Sequence, residues 1–130
     1  MPDLLLVDSI TEAVGQGAGR IVVSGSHGGA SAGRFAIEAG IRIAVFNDAG
    51  IGKDGAGIAA LDMLERHSIA ACTVGHTSAR IGEAASTLQD GVISHVNPRA
   101  AALGARRGLR SEGTRLNSSH PRLSRMPSSA

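Results

Sequence analysis

Apolar residues in this chain come in short runs, and most of the runs end in a cluster of small polar or ionisable residues. Ile21-Val22-Val23 leads into Ser24-Gly25-Ser26-His27-Gly28-Gly29, and Ile43-Ala44-Val45-Phe46 into Asn47-Asp48-Ala49-Gly50. Ile69 to Val74 leads into Gly75-His76-Thr77-Ser78, and Val92-Ile93 into Ser94-His95-Val96-Asn97. With Leu4 to Val7, these runs predict strands at 4–7, 20–24, 41–46, 69–74 and 92–95. Helical spacing fills the gaps after the glycine-broken stretch at Gly15, Gly17 and Gly19. A helix over 31–39 is stopped by Gly40. One over 56–67 repeats Ile58, Leu61 and Leu64 on one face, and one over 79–88 repeats Ile81, Ala84, Ala85 and Leu88. Asn97-Pro98 opens a last helix toward Leu103. Strands alternating with helices predict βαβ units, hence an α/β domain of three αβα layers around a mainly parallel sheet of about five strands. If all the strands run parallel, their polar ends share one sheet edge, where open α/β folds bind ligands.

Residues 110–130 depart from this pattern, with six serines, four arginines and no apolar period. Thr114 to His120 matches the in-frame translation of ACACGTCTGAACTCCAGTCAC, and Ser124 to Ala130 matches the stretch that follows it in a common sequencing adapter. The expectation is a single domain over 1–109 whose native continuation is missing, followed by a non-native, disordered tail. This changes the charge balance. The chain has 13 basic and 11 acidic residues, but the tail holds four of the basic and one of the acidic ones, leaving 9 against 10 in residues 1–109. A near-neutral domain with no Trp or Tyr lacks both the basic face and the stacking platform of a nucleic-acid binder. No apolar run approaches the roughly 18 residues of a membrane span, and no basic secretory start precedes Leu4. A cytoplasmic protein is expected. Cys72, the only cysteine, reads as a small buried hydrophobe. Ala- and Gly-rich helix faces allow close layers but a weak core, so a homo-oligomer is expected.

The polar clusters carry the chemistry. Ser24 to Gly33 is a glycine-rich strand-to-helix turn that can aim N–H groups at an anion, although it fits neither the dinucleotide fingerprint nor a P-loop. Glycine packing explains Gly28 and Gly29 but not His27, which is a candidate acid/base group. Asp48 ends a strand and could orient a histidine, bind a metal or act as a base. Asp54 reads as the N-cap of the next helix, and Lys53 as an anion partner or a solvated cation. Ser78 reads as an N-cap. Arg80, placed in a first helical turn against the dipole, calls for a partner: a substrate anion, Asp48 or Glu83. Alternation along the last strand sends Ser94 and His95 to opposite faces.

The order of a Ser-His-Gly turn and an Asp-Ala-Gly turn is similar in outline to the caspase-like cysteine peptidases. There the second strand must deliver a cysteine, and Gly50 stands at the nearest position, so that mechanism is excluded. Taken together, SGSHGG, NDAG, SARIG and GVISHVN resemble the motif set of a group of small uncharacterised bacterial α/β proteins, over most of residues 3–104. The resemblance implies a real bacterial family and carries no activity.

The expected function is an enzyme acting on a small, anionic metabolite, with hydrolysis the preferred reaction. His27 and Asp48 form its acid/base pair, and His76 is a second acid/base group. Ser24, Ser26, Gly28, Gly29, Asn47, Lys53, Ser78, Arg80 and His95 surround the substrate, and the cofactor is left open. A seryl route would use Ser24 or Ser26. The alternatives are a non-catalytic ligand-binding or regulatory domain, and a metal site built from His27, His76, His95 and Asp48.

Overall fold

The computed structural model describes residues 3–111. Its strands are β1 (Leu4–Val7), β2 (Ile21–His27), β3 (Ile43–Asn47), β4 (Ala70–Val74) and β5 (Ile93–Val96). The helices are α1 (Ala30–Ala39), α2 (Ala59–Arg66), α3 (Ala84–Asp90) and α4 (Pro98–Ala102), with 3-10 turns at Ile10–Ala13 and Lys53–Ile58. The strands form one sheet in the order β1-β2-β3-β4-β5. The first four are parallel, and β5 runs antiparallel to β4. The expected α/β class with a mostly parallel sheet is therefore present.

Burial follows the two-residue period of the strands. Val22, Ala44, Phe46 and Ala71 join Ile10, Ala36, Leu61 and Leu64 in one apolar cluster. Val23, Val45, Cys72 and Val74 join Ala79, Ile93 and Ala100 in another. Strands buried on both faces need near-continuous apolar runs, and β3 and β4 have every residue buried. The small helix residues do allow close packing: a Cβ on Gly33 of α1 would sit 2.7 Å from the Met63 sulfur and 3.2 Å from the Ala60 methyl. Gly40 ends α1 at φ 71°, a conformation that disfavours side-chain-bearing residues.

Three expectations are corrected. The helix expected over 79–88 begins only at Ala84, because residues 79–83 are held against β2. The Gly82 N–H donates to the Gly25 carbonyl at 2.7 Å, and the Ala84 N–H donates to the Asp8 carboxylate at 2.9 Å. A side chain on Gly25 would run into the backbone of Gly82 and Glu83. Ile81 is consequently 53% exposed rather than facing inward. Asp54 does not cap α2. It lies inside the 3-10 turn at φ 57°, and the residue before α2 is Ile58, which gives no side-chain cap. Because β5 runs the opposite way, the Asn97 end of its polar cluster lies away from the other three, while Ser94 and His95 stay beside Thr73.

Asn97 fixes this reversal. It is buried, and its side chain accepts from the N–H groups of Ala71 (3.0 Å) and Ala100 (2.9 Å). It donates to the carbonyls of Leu61 (3.2 Å) and Ile69 (3.0 Å). The expected N-cap of α4 is thus also a bracket joining β4, β5 and α2. Beyond α4 the chain returns to the sheet: Ile93 donates to Leu109 at 2.7 Å, Ser111 to Gly91 at 2.8 Å, and Arg110 bridges Val92. Arg110 and Ser111 therefore belong to the fold, and the rest of the expected tail lies outside the described residues. Among those described, no helix is long and apolar enough to cross a membrane.

Asn97→Ala is expected to cost about 3 kcal/mol or more, since it strands several buried backbone groups. Urea unfolding of the two proteins measures the difference; a loss under about 1 kcal/mol would mean that the bracket is dispensable.

Candidate functional site

The C-terminal ends of β2, β3 and β4 meet at two consecutive residues of β3 and the turn after it. Asn47 is fully buried, and its side chain accepts from the Ala49 N–H at 2.7 Å while donating to the Ala79 carbonyl at 3.1 Å. Asp48 is 5% exposed. One of its carboxylate oxygens accepts from the N–H groups of Gly50 (2.8 Å) and His76 (3.1 Å). The same oxygen lies 3.5 Å from Nδ1 of the His76 ring, whose side chain is 56% exposed. Burial works to raise the Asp48 pKa. The hydrogen bonds from Ser94, Gly50 and His76, with the charge of the His76 ring, outweigh it and hold the carboxyl below its ordinary value of 3.8.

The turn after Asp48 is wound unusually. Ala49, Gly50, Ile51 and Gly52 all take positive φ, from 52° to 75°. That conformation is rare for a β-branched residue such as Ile51 and costs on the order of 1–3 kcal/mol. Short bonds over-determine it: Ile51 donates to the Asp48 carbonyl at 2.6 Å, and Gly57 donates to Ile51 at 2.5 Å. Gly57 packs so tightly that a side chain there would collide with the Asp48 carbonyl. The His76 ring lies over Gly50, where a Cβ would stand 3.5 Å from it.

A cavity of about 680 Å³ opens beside this pair, lined by His76, Thr77, Arg80, Ile81, Glu83 and Ser86 among others. Arg80 lies in the loop before α3. Its Nε donates to Glu83 at 2.9 Å, and this pairing raises its pKa further. The Glu83 alternative raised for its partner is the one found, while both terminal nitrogens of Arg80 make no bond among the described residues. Ser78 is not an N-cap. Its hydroxyl donates to Gly75 at 2.7 Å and accepts from Val92 at 2.9 Å, fixing the loop that carries His76.

The other expected site residues fall elsewhere. The His27 side chain forms no hydrogen bond among the described residues and lines a separate cavity of about 140 Å³ with Ser26, Ser31 and Phe35. The histidine beside Asp48 is therefore His76, not His27. The Ser24 hydroxyl is buried and donates to the Val45 carbonyl at 3.2 Å, and Ser26 accepts from the Ile10 N–H at 2.9 Å. Gly28 spends its N–H on the Asn47 carbonyl at 2.9 Å and packs against Gly57, while Gly29 precedes α1 as its N-cap. The Gly28 N–H is therefore not free to meet a ligand. Lys53 is exposed at the start of its 3-10 turn.

Ser94 was not among the expected site residues. A register shift in the β4–β5 pair sets Ser94 and His95 against Thr73, so alternation fails there. Ser94 lies 2.9 Å from the Thr73 hydroxyl and 3.3 Å from Nδ1 of His95. Asp8, the cap of α3, also escaped notice; a contact across 76 residues leaves no local signal. Among the described residues, no three His, Cys, Asp or Glu side chains gather as a metal would need, so the set of His27, His76, His95 and Asp48 is not assembled. Cys72 is buried as expected, and burial pushes its thiol up to about 12.

No protein-family model matches the chain, and neither a curated protein nor a solved structure matches it.

Because folding lowers the Asp48 pKa, its stabilising contribution is complete above 3.8 and is lost as pH falls through the lower folded value. Asp48→Asn is expected to flatten this part of the acid limb of stability. Thermal melts of both proteins between pH 2 and 6 test this, and parallel acid limbs would contradict it.

Proposed function

We propose that the chain is an enzyme performing acid–base chemistry on a small anionic metabolite bound beside Asp48 and His76. The observation that carries this reading is the exposed His76 ring, backed through Nδ1 by a buried carboxylate at the mouth of the large cavity. A carboxylate on one imidazole nitrogen selects the tautomer with the proton there and leaves Nε2 as the base toward substrate. It also stabilises the imidazolium formed when the base takes a proton. The terminal nitrogens of Arg80 supply charge-assisted donors for a carboxylate or phosphate, held in place by the Glu83 pairing. Ile81 and Ala79 offer a short apolar body somewhere to rest.

Hydrolysis is the preferred reaction. Water gives a proton to Nε2 of His76 as its oxygen bonds to the acyl carbon or phosphorus. The leaving group departs with that proton. A seryl route finds little support, since Ser24 is bonded inside the sheet and Ser26 opens toward the other cavity. The strained turn at Ile51 supports a functional site as well, because such strain collects where geometry serves chemistry. The reading keeps a cytoplasmic setting, a homo-oligomeric state and no nucleic-acid partner, on the near-neutral charge of residues 1–109 and its Ala-rich core.

A panel of phosphate monoesters, carboxylic esters, amides and 2-hydroxy acids, followed by proton NMR, tests the proposal. Turnover of one of them is expected to fall at least about 100-fold in His76→Ala with binding retained. Arg80→Ala is expected to weaken binding of the same compound by about tenfold or more. Binding without turnover, unchanged in His76→Ala, would make this a ligand-binding domain instead.

A further inference from the structure

We propose a second ligand site, at the end of the sheet opposite the Asp48–His76 pair, that takes a small carboxylate with a short apolar body. A cavity of about 320 Å³ opens there, lined by Arg42, Ile43, Ser68, Ala70, Arg99 and Leu103 among others. Ile43 and Ala70 are the first residues of β3 and β4, so the cavity sits where these parallel strands begin. The Asp48–His76 pair lies where they end, and its cavity has no lining residue in common with this one. Nothing here depends on the acid–base reading of that pair.

The polar side chains lining this cavity all have donor capacity left over. Arg42 donates through Nε to the Gly19 carbonyl at 3.1 Å and pairs through one terminal nitrogen with Asp3 at 3.6 Å. Arg99 pairs through Nε with Glu65 at 3.6 Å and donates through one terminal nitrogen to the Ser68 hydroxyl at 3.1 Å. Each guanidinium keeps its other terminal nitrogen without a bond among the described residues. An arginine never accepts, so Ser68 is the acceptor in that contact, and its own proton has no acceptor among the described residues. Among those residues, no carboxylate lines the cavity. Three donors without an acceptor, two of them charged, suit an anion, and Asp3 and Glu65 fix the guanidiniums from outside.

The rest of the lining is apolar, and this selects among anions. Leu103, which follows α4, is 48% exposed beside Ala70 and Ile43, so an alkyl chain anchored at the arginines would cover it. The donors are also held ready. The bonds of Asn97 to Ile69 and Ala71 tie the start of α4 to the start of β4, which sets Arg99 beside Ser68 before a ligand arrives. A plain structural role for the arginines predicts something different. Surface pairing with Asp3 and Glu65 alone would leave anions to bind weakly and without regard to their apolar part.

The deciding measurement is a nitrogen-15 NMR titration of the full chain with hexanoate at constant pH and ionic strength, compared with hexanamide, acetate and inorganic phosphate. Hexanoate is expected to shift the amide signals of Ser68, Ala70 and Leu103 with a saturating Kd in the millimolar range or tighter, and hexanamide to leave them in place. Acetate and phosphate are expected to bind at least about tenfold more weakly, since neither covers Leu103. Arg42→Gln and Arg99→Gln are each expected to weaken hexanoate binding by about tenfold, and Arg80→Ala to leave it unchanged. Absent shifts, equal shifts with hexanamide, equal affinity for acetate or phosphate, or an affinity unchanged in either arginine-to-glutamine variant overturns the proposal. Binding lost in Arg80→Ala also overturns it, because hexanoate would then sit in the cavity beside His76. Should Arg99→Gln fail to fold for want of its Glu65 and Ser68 contacts, Arg42→Gln decides. No arm of the titration uses turnover, so failure of the acid–base reading and failure of this site are read separately.

Discussion

Two successive side chains at the end of β3 hold the candidate site together. Asn47 reaches sideways to the loop after β4 through the Ala79 carbonyl, and forward to the N–H of Ala49. Asp48 does the same one residue later, through the N–H groups of His76 and Gly50. Both loops are therefore referenced to one strand, and neither can shift without stranding a buried polar group. That shared reference is what turns a flexible, exposed histidine into one with a defined carboxylate behind it.

The surrounding glycines serve this arrangement by absence of side chain more than by binding. Gly57 lets the 3-10 turn close over the Asp48 carbonyl, and Gly28 lets β2 pass beneath Gly57. Gly25 lets the Arg80 loop lie on the sheet, which places Arg80 beside the cavity and delays α3 to Ala84. Glycine-rich turns at a sheet edge can suggest phosphate cradles. Here the N–H of Gly28 is already committed to Asn47.

Much of the fold was legible because it was written locally. The Leu, Ile, Val and Phe runs located β1, β2 and β3, Gly40 marked the end of α1, and Asn97-Pro98 marked the start of α4. What was not legible depended on distant contacts. The periodicity of Ile81, Ala84, Ala85 and Leu88 fits a helix, yet Gly25 and Asp8 hold the first part of that stretch out of one. Nothing between Leu88 and Val92 tells β5 to reverse, so the Asn97 end of its polar cluster was placed on the wrong edge. The polar clusters did point to Asp48 and His76, but partner choice was beyond them. His27 lies on an adjacent strand, and only the course of the turn after Asp48 shows that His76, not His27, meets the carboxylate. Ser94 was hidden by a one-residue irregularity that overrides strand alternation.

The strand order has a consequence for the way the chain comes together in time. Each strand pairs with the one made just before it, so the sheet can grow outward in the direction of synthesis without waiting for a distant partner. Later closing events reach back: Ala84 onto Asp8, Gly82 onto Gly25, and Asn97 onto Leu61. The carboxylate and histidine of the candidate site are thus brought near each other early. Their finished geometry waits for the last third of the chain.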